Sequence, residues 1–269
     1  MTEAGLERVA GEAAPFLSRV TRLGFATKGL LTIIVGVLAL RHALGQGGRL
    51  TGQEGAIRAL RDQPFGQALL VALSVGLSAY ALWMFASAFV DPQGKGTRVT
   101  GILERASFFV TGLGYAALAF GSLNLLRGKG GLGTELDDLA ANVLTPVFGR
   151  LLVGLAGATV VTAGALQMRL GVTAGFRHDL RKDLSSWWRK ITIVSGRFGY
   201  LALGLLSLLV GSSLVRVAVE YDPSEAGGWD EALGLLSRLG EGTWALGVAA
   251  VGLILYGVYF VLLVRTRAL

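Results

Sequence analysis

Lys28 is the first residue in this chain to question for chemistry. It stands inside a long apolar run, six positions past Arg22, or about 9 Å of helix at the standard rise. A cation at that depth is costly and is by default a site candidate, although its four-carbon stem also lets it snorkel to the nearer headgroup layer. Other reactive groups are sparse. The cysteine count is 0, which removes thiolate nucleophiles, disulfides and cysteine metal sites. His42 and His178 are too far apart in sequence to suggest a metal cluster. The apolar runs hold no Asp or Glu, so the carboxylate relay of many proton-coupled carriers is missing. Thr32, Ser74, Ser78, Thr159, Thr162, Gln167 and Ser207 are mild polar groups, suited to bonding a backbone or a neighbouring helix. Gly-Leu-Gly-Tyr at 112–115 follows no strand and is no nucleotide loop. The sequence thus offers no catalytic, cofactor-binding or metal-binding set, and the chain does not read as an enzyme. Acidic stretches at Glu135, Asp137 and Asp138 and from Glu220 to Glu231 read as solvated loops, with weak Ca²⁺ binding as the alternative.

The arginines fall in pairs. Arg22 and Arg41 are 19 positions apart, as are Arg197 and Arg216, while Arg105 is matched with Asn124. That separation spans roughly 28 Å of helix, close to the hydrocarbon thickness of a bilayer. Each arginine is expected to fix helix depth at its own headgroup layer. In the alternative, Arg41 and Arg216 gather an anionic ligand.

Such residues need elements to carry them. Of the 269 residues, 52% are hydrophobic and 16% charged, with a mean hydropathy of +0.59. These values exclude a soluble enzyme, a nucleic-acid module and a disordered chain. Six apolar stretches, near 23–43, 66–89, 106–126, 147–169, 197–218 and 243–264, are each long enough to cross a bilayer. Backbone in lipid must satisfy its own hydrogen bonds, so all six are expected to be helices. The expected class is an all-α polytopic membrane protein. The first stretch is long and bulky throughout, as an uncleaved anchor would be. Sixteen of the 25 Lys and Arg lie with the amino-terminal side, and eleven of the 18 Asp and Glu lie opposite. That asymmetry predicts both termini in the cytoplasm, with the chain in the bacterial inner (plasma) membrane. The net charge of +7 is therefore a topology signal, and no nucleic-acid partner is expected.

Internal spacing organises the spans. Arg22, Gly24 and Gly29 recur as Arg197, Gly199 and Gly204, and more weakly as Arg105, Ser107 and Gly112. Gly66 follows Arg22 by 44 residues, Gly149 follows Arg105 by 44, and Gly240 and Gly242 bracket that spacing after Arg197. Fourteen positions beyond Gly66, Gly149 and Gly242 stand Tyr80, Ala163 and Tyr256. Three parallel two-helix repeats follow, at 22–95, 104–175 and 196–269, behind an amino tail at 1–21. Each is expected to carry an amphipathic piece in its outer loop, at 53–64, 135–146 and 229–239, and the bundle to approach three-fold symmetry about the membrane normal. Arg22-Leu23-Gly24-Phe25 with Gly29, then Pro64-Phe65-Gly66, then Ala79-Tyr80-Ala81-Leu82-Trp83 resemble the repeat of the bacterial domain-of-unknown-function 1206 membrane proteins. Arg197, Gly199, Tyr200, Gly204 and Leu255-Tyr256-Gly257 carry the resemblance into the third copy; Ser107 and the inserted residue of Pro146-Val147-Phe148-Gly149 depart from it. The resemblance implies the architecture and no established activity.

Glycines seven apart, Gly29/Gly36, Gly114/Gly121 and Gly204/Gly211, are expected to form helix-packing stripes. Phe176, Leu180, Leu184, Trp187, Trp188 and Ile191 fall at helical spacing among Arg177, Arg181, Lys182, Arg189 and Lys190. Residues 176–191 are therefore expected to form an interfacial helix on anionic lipid at the cytoplasmic face. In function the chain reads as a scaffold or accessory subunit with a membrane-protein partner. The alternative is a channel or facilitator for a small solute, ion or lipid-like molecule between the repeats.

Overall fold

The computed structural model describes residues 3–46, 52–91, 96, 99–128, 146–220, 233–234, 236–237 and 243–267. Its named elements are α1 (Glu3–Ala43), α2 (Gln53–Arg61), α3 (Gly66–Phe89), α4 (Val99–Leu126), α5 (Pro146–Thr173), a 3₁₀ turn (Gly175–Asp179), α6 (Ser186–Glu220) and α7 (Thr243–Thr266). The chain is all-α. Among the described residues six helices are long and apolar enough to cross a membrane, while α2 is short. The spans begin and end within about four residues of the sequence reading, except that the fifth begins at Val153 and the span in α6 starts well before it, at Ser186. Of the outer-loop pieces, α2 fills the first. The second, at 135–145, lies outside the described residues, and in the third Leu233 and Leu236 are helical and buried.

Neighbouring helices run antiparallel in the packing order α4, α3, α1, α7, α6, α5. The tightest crossings lie at small residues, because without a hydrophobic drive between helices in lipid, close van der Waals contact must hold them. Gly29 meets Gly257 where α1 crosses α7, and a Cβ on Gly29 would stand 2.6 Å from the Gly257 carbonyl oxygen. Gly36 lies against Ile254 and Ala250 in the same seam. Gly204 and Gly211 serve α6 likewise, facing Gly164 and Gly157 of α5. Gly121 is buried, whereas Gly114 faces outward with no heavy atom within 4 Å of a Cβ there. The packing stripe expected on α4 therefore does not extend to Gly114. On α4 it is Gly112 that meets a neighbour, the Phe85 ring of α3, and Ser74 and Ser122 join hydroxyls at 2.5 Å.

The shared spacing of Gly24 to Tyr80 and of Gly199 to Tyr256 has a structural cause. A Cβ on Gly24 would lie 2.7 Å from the Tyr80 Cα, and one on Gly199 2.5 Å from the Tyr256 Cα. Each glycine thus seats the backbone of its own return helix. The middle copy has Ser107 and Ala163 at these places, and among the described residues no comparable packing joins α4 to α5. Two of the leading arginines, Arg105 and Arg197, bond to helix-end carbonyls. Arg105 Nε donates to the Ala88 carbonyl at 2.7 Å and its Nη2 to that of Phe89 at 3.2 Å. Arg197 does the same for Gly171 and Val172 at 3.3 and 3.2 Å. Each therefore caps the C-terminus of the preceding copy's return helix, where carbonyls lack partners and the helix dipole favours a cation.

The interfacial helix expected at 176–191 is not formed. Ala174 turns left-handed (φ 51°) after α5, the 3₁₀ turn follows, and Leu180 is extended and bridges to Arg267. A helix resumes at Ser186 and runs unbroken into the membrane as α6. The first part of the apolar period serves inward burial: Phe176 and Leu180 are 5% and 3% exposed. Phe176 stacks on Tyr200 at 5.4 Å and meets Tyr259 edge-on at 5.0 Å, so this turn covers one end of the bundle. Trp187 and Trp188 remain exposed on the first turn of α6, as do Arg181 and Lys182 before it. Arg181 donates to Asp183 at 3.0 Å and holds its carboxyl below the usual range.

Candidate functional site

Lys28 does not snorkel. Its side chain is buried, and Nζ donates to the Tyr80 hydroxyl at 2.8 Å. Four rings surround the ammonium: Phe260 at 4.2 Å, Tyr80 at 4.7 Å, Tyr115 at 5.3 Å and Tyr256 at 5.6 Å to their centroids. The rings come from α3, α4 and α7, while α1 supplies the lysine. One face of α1 therefore governs the outcome. Gly24 and Gly29 bring Tyr80 and Gly257 against it, and Lys28 lies between those contacts, so its stem is turned toward the interior.

A ring face is negative and an edge positive, so rings around a cation replace part of its lost hydration. Each contributes about 0.5–2 kcal/mol, more when water is excluded, against about 2.5–3.5 kcal/mol for placing a lysine mid-bilayer. The cage is thus of the right order to hold an ammonium without a carboxylate. Its rings brace one another: Tyr80 meets Tyr115 edge-on at 4.5 Å, and Phe260 contacts both Tyr80 and Tyr256. Gln53, the first residue of α2, donates to the Tyr115 hydroxyl at 3.3 Å and so ties the loop helix to the cage. On the other side Phe25 stands between Tyr80 and Trp83, and Arg267 lies over the Phe25 ring at 5.3 Å. The indole Nε1 of Trp83 is buried and has no hydrogen-bond partner among the described residues.

A family model described as Domain of Unknown Function (DUF1206) matches residues 23–91 and 198–267. The chain belongs to this family. In both matched regions a glycine, Gly24 or Gly199, seats the backbone of a tyrosine, Tyr80 or Tyr256, whereas Ser107 and Ala163 lie outside them. The chain is also 33% identical over 260 residues to the uncharacterized protein YxxB of Bacillus subtilis (strain 168), covering 96% of this chain and 94% of that one. No solved structure matches it. With six spans it is a multi-pass membrane protein.

The remaining candidate polar residues do not join the cage. Arg41 and Arg216 are exposed at helix ends away from it, and Asn124 is buried near the end of α4. Gln167 accepts from the Ser207 hydroxyl at 3.0 Å across α5 and α6. Sequence reasoning missed Tyr115, Phe260 and Trp83. The available signal was the tyrosine distribution. Five of the six tyrosines, Tyr80, Tyr115, Tyr200, Tyr256 and Tyr259, form a continuous run of ring contacts through Phe260.

Proposed function

We propose that this DUF1206 protein resides in the bacterial plasma membrane with both termini in the cytoplasm, and acts by interaction, as a scaffold or accessory subunit, rather than by catalysis. The observation that carries this reading is the filled interior. Between the helices stand the Lys28 cage and the fully buried side chains of Leu31, Leu77 and Leu206. Packed rings and leucines give rigidity and leave little room for a solute. The seat for a partner is α5, which packs along α6 and leaves Leu151, Leu155 and Leu166 exposed. The exposed Trp187, Trp188, Lys182 and Lys190 favour anionic lipid at the cytoplasmic surface.

Affinity purification in mild detergent is expected to recover a membrane protein in fixed stoichiometry. Repeated recovery of this chain alone would overturn the reading, as would solute flux through purified protein in liposomes. The absence of cysteine makes topology directly testable, since Asp137→Cys and Trp187→Cys variants carry one thiol each. An impermeant maleimide should label the first, and not the second, in intact cells; the reverse result overturns the orientation.

A further inference from the structure

Residues 175–181 lead from α5 toward α6 past the last residues of α7. Phe176 enters the bundle from this strap: a Cβ on Gly196 would lie 2.5 Å from its Cζ, and its ring meets Tyr200 and Tyr259. Tyr200 meets Tyr256 edge-on at 5.2 Å, and Tyr256 is a wall of the Lys28 cage. Two rings, Tyr200 and Tyr256, thus link the strap to the ammonium. Between the buried Phe176 and Leu180, the side chains of Arg177, His178 and Asp179 are half-buried or exposed. Three ties join the strap to the end of α7. Leu180 and Arg267 form an antiparallel bridge, and the Arg181 N–H donates to the Thr266 carbonyl at 2.9 Å. The Asp179 carboxylate stands 3.9 Å from the Arg267 guanidinium. That guanidinium also lies over the rings of Phe25 and Trp83, at 5.3 and 6.0 Å.

We propose that residues 175–181 are a lid on the run of rings that reaches Lys28, and that Thr266 and Arg267 are its latch. The strap has little structure of its own. It holds one 3₁₀ turn, whose closing bond from the Leu180 N–H to the Arg177 carbonyl is long at 3.4 Å. A segment so held opens locally at a free energy well below that of global unfolding, unless another element pins it. The end of α7 is that element. Closed, the lid keeps water from Tyr200 and Tyr259, and ring faces hold a cation most strongly where water is excluded. The lid therefore bears on Lys28 without touching it. It needs no cavity, so the filled interior stands, and it is independent of the scaffold reading, whose test is a protein partner.

Hydrogen exchange of the full-length protein in detergent micelles, read by mass spectrometry, measures the opening. Arg181→Pro removes the N–H that Thr266 accepts and leaves Arg267 in place. Leu180 before it is already extended (ψ 144°), as a residue preceding proline must be. Exchange at 175–180 should rise about three- to tenfold, the change expected from one hydrogen bond, while α1 and α3 keep wild-type rates. Acetylation of Tyr259 by water-soluble N-acetylimidazole, located by mass spectrometry, should quicken by a similar factor. Arg181→Ala keeps the N–H and should match wild type in both readings. Arg267→Gln, which loses the ion pair and the ring contacts, should open the lid at least as far as Arg181→Pro. Wild-type exchange or wild-type acetylation in Arg181→Pro overturns the proposal, as does acceleration spread equally over α1 and α3. Should that variant fail to fold, the same readings on Arg267→Gln decide.

Discussion

Replacing Gly24 by alanine tests the packing on which the cage depends. The added Cβ would stand 2.7 Å from the Tyr80 Cα and 2.8 Å from its backbone nitrogen. Ordinary contact begins near 3.4 Å, and neither backbone atom can rotate away, so α1 and α3 must separate by most of an ångström. Overpacking of this kind costs about 1–3 kcal/mol. Alanine returns up to about 1 kcal/mol through its better helix propensity. Because the clash is with backbone, the upper part of the first range applies, leaving a net loss of about 1–2 kcal/mol. At about 2–4 °C per kcal/mol for a chain of this size, Tm should fall by about 2–8 °C. The same displacement would lengthen the 2.8 Å bond from Lys28 to Tyr80 past hydrogen-bonding range. Gly114→Ala is the control, because a Cβ there meets nothing within 4 Å and only the propensity gain remains. Thermal unfolding in detergent, followed by tryptophan fluorescence, should lower Tm for Gly24→Ala and hold or raise it for Gly114→Ala. Equal melting of Gly24→Ala and wild type, or equal damage from both, refutes the reasoning.

Other outcomes follow from named contacts. Arg197→Met leaves the last carbonyls of α5 without their cap and should cost about 1–3 kcal/mol, with faster hydrogen exchange confined to the end of that helix. Phe176→Ala removes a buried ring that contacts two tyrosines and should cost about 3–5 kcal/mol by thermal unfolding. The depressed Asp183 carboxyl ties any contribution of its ion pair to pH above its unfolded pKa, with loss as pH falls through the lower folded value. The pair lies in water, so Asp183→Asn should leave Tm at neutral pH unchanged; a clear drop would show coupling to the core.

The spans were legible because hydrocarbon thickness imposes a length that hydropathy exposes. The recurrence of Arg22, Gly24 and Tyr80 as Arg197, Gly199 and Tyr256 was legible as spacing, but its cause was not. A count of positions does not reveal that glycine seats the tyrosine's backbone, or that Arg197 serves the carbonyls of the helix before it. Lys28 shows the limit most clearly. Distance along α1 is readable from sequence, whereas the direction its stem points is set by which helices press on Gly24 and Gly29. The segment at 176–191 failed for a related reason. A four-residue apolar period records that one face avoids water, and burial of Phe176 within the protein satisfies it as well as lipid does.

The packing order has a bearing on biosynthesis. Of these spans α1 is the first to emerge, yet its most extensive packing, through Gly29 and Gly257, is with α7, the last of them. Phe260 must arrive with that final span before the Lys28 ammonium gains its nearest ring. Throughout insertion the earliest helix therefore carries an unfinished flank and an uncaged charge, and truncation before α7 would strand both in the bilayer.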